Sequence, residues 1–196
     1  MKPLLKVVSL HNHLSSLIKR AKAGDREAQN EIYKRYAPKM LGVCRSYVSD
    51  LQYAEDIMVT GFFKVFDQIS KFREEGSFEG WMRRIMVRQC IDHLRKKRPE
   101  QFVDPSEDAL LDGADPGNWS DTLEVELLQR LIDDMPEGYR SVFLLYAVEG
   151  YQHKEIAAVL NISESTSKTQ LFKARKLLQH KLVEIKDKAY EVRRIR

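Results

Sequence analysis

Apolar residues return every three to four positions along most of the chain, which is the period of a helix with one buried face. Leu17, Ile18 and Ala21 form one stripe; Ile32, Tyr33, Tyr36, Met40, Leu41 and Cys44 a second; Ile57, Phe62, Val65, Phe66 and Ile69 a third. The breaks carry capping residues. Gly24 stands past the end of one helix and Asp25 can cap the next. Ser49-Asp50 interrupts the pattern again, and Arg73 to Ser77 a third time. Ser77 is placed to cap a helix that starts near Phe78 and runs until Pro99 stops it. Periodicity resumes with Leu123, Leu127, Leu128, Leu131 and Ile132, halts at Met135-Pro136-Glu137-Gly138, and continues from Arg140 to Val148. No stretch alternates with the period of a strand, so the fold class is all-α.

Composition changes abruptly between the two helical blocks. From Pro99 to Gln129 there are nine acidic residues and no Lys or Arg, and Pro99, Pro105, Gly113, Pro116 and Gly117 punctuate it. Residues 99–120 therefore read as an acidic flexible linker. It is either a solvated joint or an acidic strand that enters a basic channel of a partner, and the residues alone leave both open. The linker divides the 196 residues into two small helical domains, 14–98 and 121–183, with an N-terminal extension 1–13 and a basic tail 184–196. The tail can extend the last helix, bind DNA nonspecifically or be solvated; solvation is preferred. Net charge is +4 and the pI near 9.0, which points to an anionic partner. Cys44 and Cys90 have no metal-ligand spacing and read as buried free thiols of a reducing cytoplasm rather than a disulfide. The opening MKPLLKVVSLHNHL lacks a cleavage site, and no later stretch approaches a membrane span, so the expected location is cytoplasmic.

Tyr151 to Leu178 has the pattern of a helix-turn-helix. Ile156, Ala157 and Leu160 face inward on a first helix, Asn161 suits the left-handed corner, Ile162 plugs it, and Ser163 can cap the next helix. The second helix turns Leu171, Ala174, Leu177 and Leu178 inward. Outward it offers Ser165, Lys168, Thr169, Phe172 and Lys173, with Arg175 and Lys176 behind. Hydroxyls, an aromatic edge and cations suit base edges and phosphates in a major groove. The other reading is a helical hairpin with a solvated basic face.

The helix from Phe78 to Arg98 is also basic, with Arg83, Arg84, Arg88, Arg95, Lys96, Lys97 and Arg98 against Glu79 and Asp92. So many cations on one helix repel one another unless an anion lies near. Aromatic residues beside cations suit a single strand, which is held by stacking and backbone neutralisation together. For Phe78 and Trp81 a core position is the preferred alternative.

Two passages together resemble a known family. AEDIMVTGFFKVFDQISKF followed by SFEGWMRRIMVRQCIDHLRKKR is similar to region 2 of extracytoplasmic-function (ECF) sigma factors of the sigma-70 family. LQRLIDDMPEGYRSVFLLYAVEGYQHKEIAAVLNISESTSKTQLFKARKLL is similar to their region 4. The resemblance implies a dissociable, non-enzymatic subunit with no cofactor, metal or small-molecule substrate. Its partners would be core RNA polymerase, promoter DNA and an anti-sigma factor, often membrane-anchored. Region 2 would bind the polymerase clamp and open the −10 element; region 4 would read the −35 element as duplex. The linker would thread towards the active-centre cleft, which favours the acidic-strand reading. Carried over by position, Asp56, Phe62 and Phe66 would bind core polymerase. Lys71, Arg73, Ser77, Phe78, Trp81, Arg84, Arg88, Arg95 and Lys96 would contact −10 DNA, the loop from Lys71 to Phe78 pocketing a flipped base. Ser165, Thr166, Lys168, Thr169, Phe172, Lys173 and Arg175 would contact −35 DNA. Five positions depart from the family pattern: Val59-Thr60 replaces Gln-Glu, Arg88 replaces Asn, Gln152 replaces a Ser cap and Ser167 replaces Val. Gln152 is expected to fray the helix it begins.

Two other function classes compete. A stand-alone helix-turn-helix regulator would bind its site tightly without polymerase. A nuclease would need clustered metal ligands, but the carboxylates lie mostly in the linker or beside cations, and His11, His13, His93, His153 and His180 are scattered.

Overall fold

The computed structural model describes residues 4–97 and 125–194, and every regular element among them is helical, as the periodicity predicts. α1 spans Leu4–Lys22, α2 Arg26–Tyr47, α3 Leu51–Gln68 and α4 Phe78–Lys97. α5 spans Val125–Asp133, α6 Glu137–Ala147, α7 His153–Leu160 and α8 Glu164–Arg194. A 3-10 turn, Ile69–Lys71, closes α3. The linker 99–120 lies outside the described residues. At the ends, α1 reaches back to Leu4 through the expected extension, and α8 continues to Arg194 through the expected tail.

The caps stand where the breaks put them. Gly24 takes φ +86°, and the Asp25 carboxylate accepts the amides of Glu27 at 2.9 Å and Ala28 at 3.1 Å. The Ala28 amide first, and the Arg20 guanidinium next, hold that carboxyl below its ordinary value. Asp50 accepts the Tyr53 amide at 3.1 Å, and Ser77 Oγ accepts the Gly80 amide at 3.3 Å.

The chain divides into two compact units, Met1–Cys90 and Ile91–Arg196, the division falling within α4. In the first, α2 packs on α1 and α3, and the 3-10 turn touches α1 and α3. Ile32, Met40, Val65, Met82 and Met86 fill its centre. Gly61 lets α4 approach α3: a Cβ there would run into the Met86 thioether. Cys44 and Cys90 are both buried and free. A hydrogen bond with Cys44, and then burial, push the Cys90 thiol well above its ordinary value, so it stays protonated. In the second unit α8 packs on α5, α6 and α7 over Val142, Leu145, Ile156, Leu160, Leu171 and Leu178. Polar side chains share this interior: Arg140, Ser141 and Gln170 are all buried, and Arg140 Nη1 donates to the Asp133 carbonyl at 3.2 Å. Among the described residues no helix is long and apolar enough to cross a membrane.

Candidate nucleic-acid and polymerase interfaces

The helix-turn-helix is α7, its corner and the first turns of α8. The Glu155 carboxylate accepts the Gln152 amide at 2.7 Å, one arm of a capping box. The start of α7 is therefore held without the Ser cap, contrary to the expected fraying. Asn161 takes φ 57°, ψ 48°, and the Ile162 amide returns to the Ala157 carbonyl at 3.1 Å. Ile162 itself is only half-buried. Ser163 caps α8 by accepting the Thr166 amide at 2.9 Å.

Beyond the cap, Ser165, Lys168 and Thr169 are exposed, and Phe172 and Lys173 half-buried, along one side of α8. Lys168 pairs with Glu164 at 2.8 Å. An exposed pair of this kind contributes little, so a phosphate can replace the carboxylate at small cost. The Lys176 ammonium lies 4.9 Å over the Phe172 ring. Arg175 is half-buried with its guanidinium 5.5 Å over the Tyr146 ring, and Tyr146 stacks on His153 at 4.9 Å. His153 Nδ1 and Ser167 Oγ are 2.9 Å apart, so the hydroxyl that replaces Val lies in the core with a partner. Burial first, then Lys168, hold His153 below its ordinary value, against the pull of Glu164. Thr166 corrects the sequence reading. It is 2% exposed, with its hydroxyl 2.7 Å from Ser163 Oγ, so it supports the cap from inside and offers nothing to a base.

On α4, Trp81, Arg84, Arg88 and Arg95 recur at helical spacing, which returns them to one side. Arg84, Arg88 and Lys96 are exposed, Trp81 and Arg95 half-buried. The loop before it carries Lys71, Arg73 and Ser77 in the open. Phe78 takes the core position preferred for it over a DNA contact: it is 3% exposed, in contact with Phe72 at 5.1 Å, Trp81 at 5.7 Å and Tyr36 at 6.0 Å. It forms the floor under the loop, while Trp81 keeps an exposed edge.

α3 gives a second correction. Phe62 is 3% exposed with its ring 4.8 Å from Tyr33; Phe66 is half-buried. The residue that projects is Phe63, 73% exposed, with Val59 exposed beside it. Asp56, Val59, Phe63 and Asp67 fall at i, i+3, i+7 and i+11, one outward stripe. The periodic stripe of Ile57, Phe62, Val65 and Ile69, all buried, places Phe62 inward and leaves Phe63 off it, whereas the polymerase contact carried over to Phe62 came from the motif. Among the described residues no group of three or more His, Cys, Asp or Glu is placed to hold a metal.

Two family models match the chain: Sigma-70 region 2 over residues 32–100 and Sigma-70, region 4 over residues 125–178. The chain is 30% identical over 185 residues to the ECF RNA polymerase sigma-E factor of Haemophilus influenzae, covering 85% of this chain and 94% of that protein. It is 29% identical over 176 residues to the ECF RNA polymerase sigma factor SigW of Bacillus subtilis, covering 84% and 94%. The solved structure of the sigma factor RpoE in complex with the anti-sigma factor NepR from Bartonella quintana aligns with a TM-score of 0.48 at 18% identity, covering 78% and 95%.

Proposed function

We propose how these surfaces work from one premise: the chain belongs to the ECF RNA polymerase sigma factors of the sigma-70 family. It is a sigma factor that binds core polymerase and directs promoter-specific initiation of transcription; a stand-alone regulator is not favoured. Residues 14–98 serve as region 2, 99–120 as the acidic tether and 121–183 as region 4. The α3 stripe of Asp56, Val59 and Phe63 docks on core polymerase. The loop from Lys71 to Ser77, with Trp81, Arg84, Arg88, Arg95 and Lys96, takes the melted −10 strand by stacking and phosphate neutralisation. On α8, Ser165, Lys168, Thr169, Phe172 and Lys173 read the −35 duplex, with Arg175 at the edge. The chain supplies positioning and leaves bond formation to polymerase, so it works in the cytoplasm without a cofactor or small-molecule substrate of its own. An anti-sigma factor is the partner family membership adds.

The observation that carries this reading is the pairing, in one unit, of an exposed apolar and acidic stripe on α3 with the exposed Arg84 and Arg88 of α4. A free-standing DNA reader has no use for a phenylalanine that is 73% exposed, whereas a dissociable subunit needs such an anchor. Run-off transcription from genomic fragments, with core polymerase alone and with the chain added, tests it. Chain-dependent transcripts are expected; none from any fragment would sink it.

A further inference from the structure

The loop between the 3-10 turn and α4 is held from a distance, by α1. The Lys22 ammonium donates to the Phe72 carbonyl at 2.8 Å, lies 5.6 Å from the centre of the Phe72 ring and pairs with the Glu74 carboxylate at 3.8 Å. Two helical turns upstream, Ser15 Oγ donates to the other Glu74 oxygen at 3.4 Å. Glu74 needs this help. Its φ of 60° places a side-chain-bearing residue in the left-handed region, at a cost of roughly 1–2 kcal/mol that persists only where the surroundings enforce it. On the inner side the Phe72 ring is locked against Phe78 and Trp81 at 5.1 and 5.6 Å. Phe72 and Glu74 are therefore both fixed, and Arg73 between them is turned outward and exposed.

We infer that Lys22, with Ser15 and Glu74, forms a positioning clamp that presets this loop for capture of the −10 strand. Lys22 touches no DNA; it acts by fixing the backbone from which Arg73 and the following residues project. The loop then meets the strand already shaped, and the ordering entropy that a free loop loses on binding is spent in folding instead. Lys22 is 28% exposed in its side chain, so the ammonium is partly desolvated and one cation serves the carbonyl, the ring face and the carboxylate together.

The inference rests on the region 2 assignment above, and the test separates the two. Holoenzyme is assembled from core polymerase and the full chain. Its affinity is measured for a fork-junction DNA carrying a labelled single-stranded −10 segment from a fragment it transcribes, and for the same DNA with each −10 base replaced in turn. Lys22→Met is expected to weaken capture of the matched strand about tenfold and to flatten discrimination between matched and replaced bases. Lys22→Arg should restore most of it, and core affinity should stay at the wild-type value. Glu74→Gly relieves the left-handed residue while removing the clamp's carboxylate. It should leave thermal stability unchanged or raised and still lower discrimination, a pairing that a merely structural staple cannot produce. Wild-type discrimination in both Lys22→Met and Glu74→Gly overturns the clamp and leaves the region 2 assignment standing. Wild-type holoenzyme that captures no single strand overturns both.

Discussion

Near the start of α8, Thr166 and Lys168 are two residues apart and face different surroundings. Thr166 is 2% exposed and braces the Ser163 cap, so Thr166→Val should lower the stability of the second unit by about 1 kcal/mol while leaving base preference unchanged. A changed base preference in a promoter library would return Thr166 to the DNA face. Lys168 is exposed, so Lys168→Ala should leave stability alone and weaken −35 binding across sequences, with a salt slope lower by about one. An identical slope over a salt titration would contradict the phosphate role. His153 adds a pH dependence whose sign follows from its lowered folded value. The unfolded chain binds the proton near the ordinary 6.5, the folded chain only at lower pH, so the unfolded state holds more protons in that window. Stability is full above about pH 7 and falls as pH drops from there through the folded value. His93, also lowered by burial, acts in the same sense. The contribution of His153 is therefore the difference between wild type and His153→Gln in denaturation midpoints at about pH 7.5 and about pH 5.5. Parallel losses in the two proteins would show that His153 is not the group responsible.

At the level of the helix, α3 shows what periodicity fixes and what it leaves loose. Phe62 and Phe63 are adjacent and chemically identical, yet one is 3% and the other 73% exposed. Phe62→Ala should cost about 3–5 kcal/mol by opening a cavity beside Tyr33. Phe63→Ser should leave stability within about 0.5 kcal/mol and weaken core polymerase binding tenfold or more, measured by pull-down or fluorescence titration. Undiminished core binding would mean that the α3 stripe docks elsewhere. The helix boundaries and the corner of the helix-turn-helix were legible because Asp25, Asp50, Ser77, Asn161 and Ser163 each act through their own backbone neighbours. The same local logic does not reach contacts between helices. A position on a motif does not say how its side chain is used: the polymerase contact carried over to Phe62, and the DNA contacts carried over to Phe78 and Thr166, fall on buried side chains. The clamp was invisible for a stronger reason: Lys22 and Glu74 are far apart in sequence, and only the fold brings a lysine of α1 over a loop that precedes α4. Gly61 carried a signal of the same hidden kind, a small residue where two helices close on Met86. Alanine there gains helix propensity, worth about 1 kcal/mol, and loses about 1–3 kcal/mol to overpacking against a buried side chain.

For the molecule as a whole, the modest net charge of +4 conceals where the cations sit. Arg84 and Arg88 line α4 in the first unit, and Lys168 and Lys173 line α8 in the second. In the proposed assignment each stripe alone would be a weak, salt-sensitive hold on nucleic acid. Joined on one polymerase, the second contact becomes intramolecular, and affinity rises by effective concentration with no new contact made. In the proposed assignment the two holds meet different forms of DNA, one a duplex and the other a melted strand, and so act at successive steps. Lys168→Ala should slow formation of the initial duplex complex and leave the later opening rate near wild type. Arg88→Ala should do the reverse, because the proposed assignment gives it a strand that is presented only once the duplex parts. Each substitution should lower the salt slope of its own step by about one. Because the residues share no partner, the free-energy losses in the double variant should add to within about 0.5 kcal/mol. Stopped-flow fluorescence of holoenzyme on a promoter it transcribes separates the two steps. Equal slowing of both by either single variant would show that the units grip the promoter together, in one step, and the division of labour between α4 and α8 would fall.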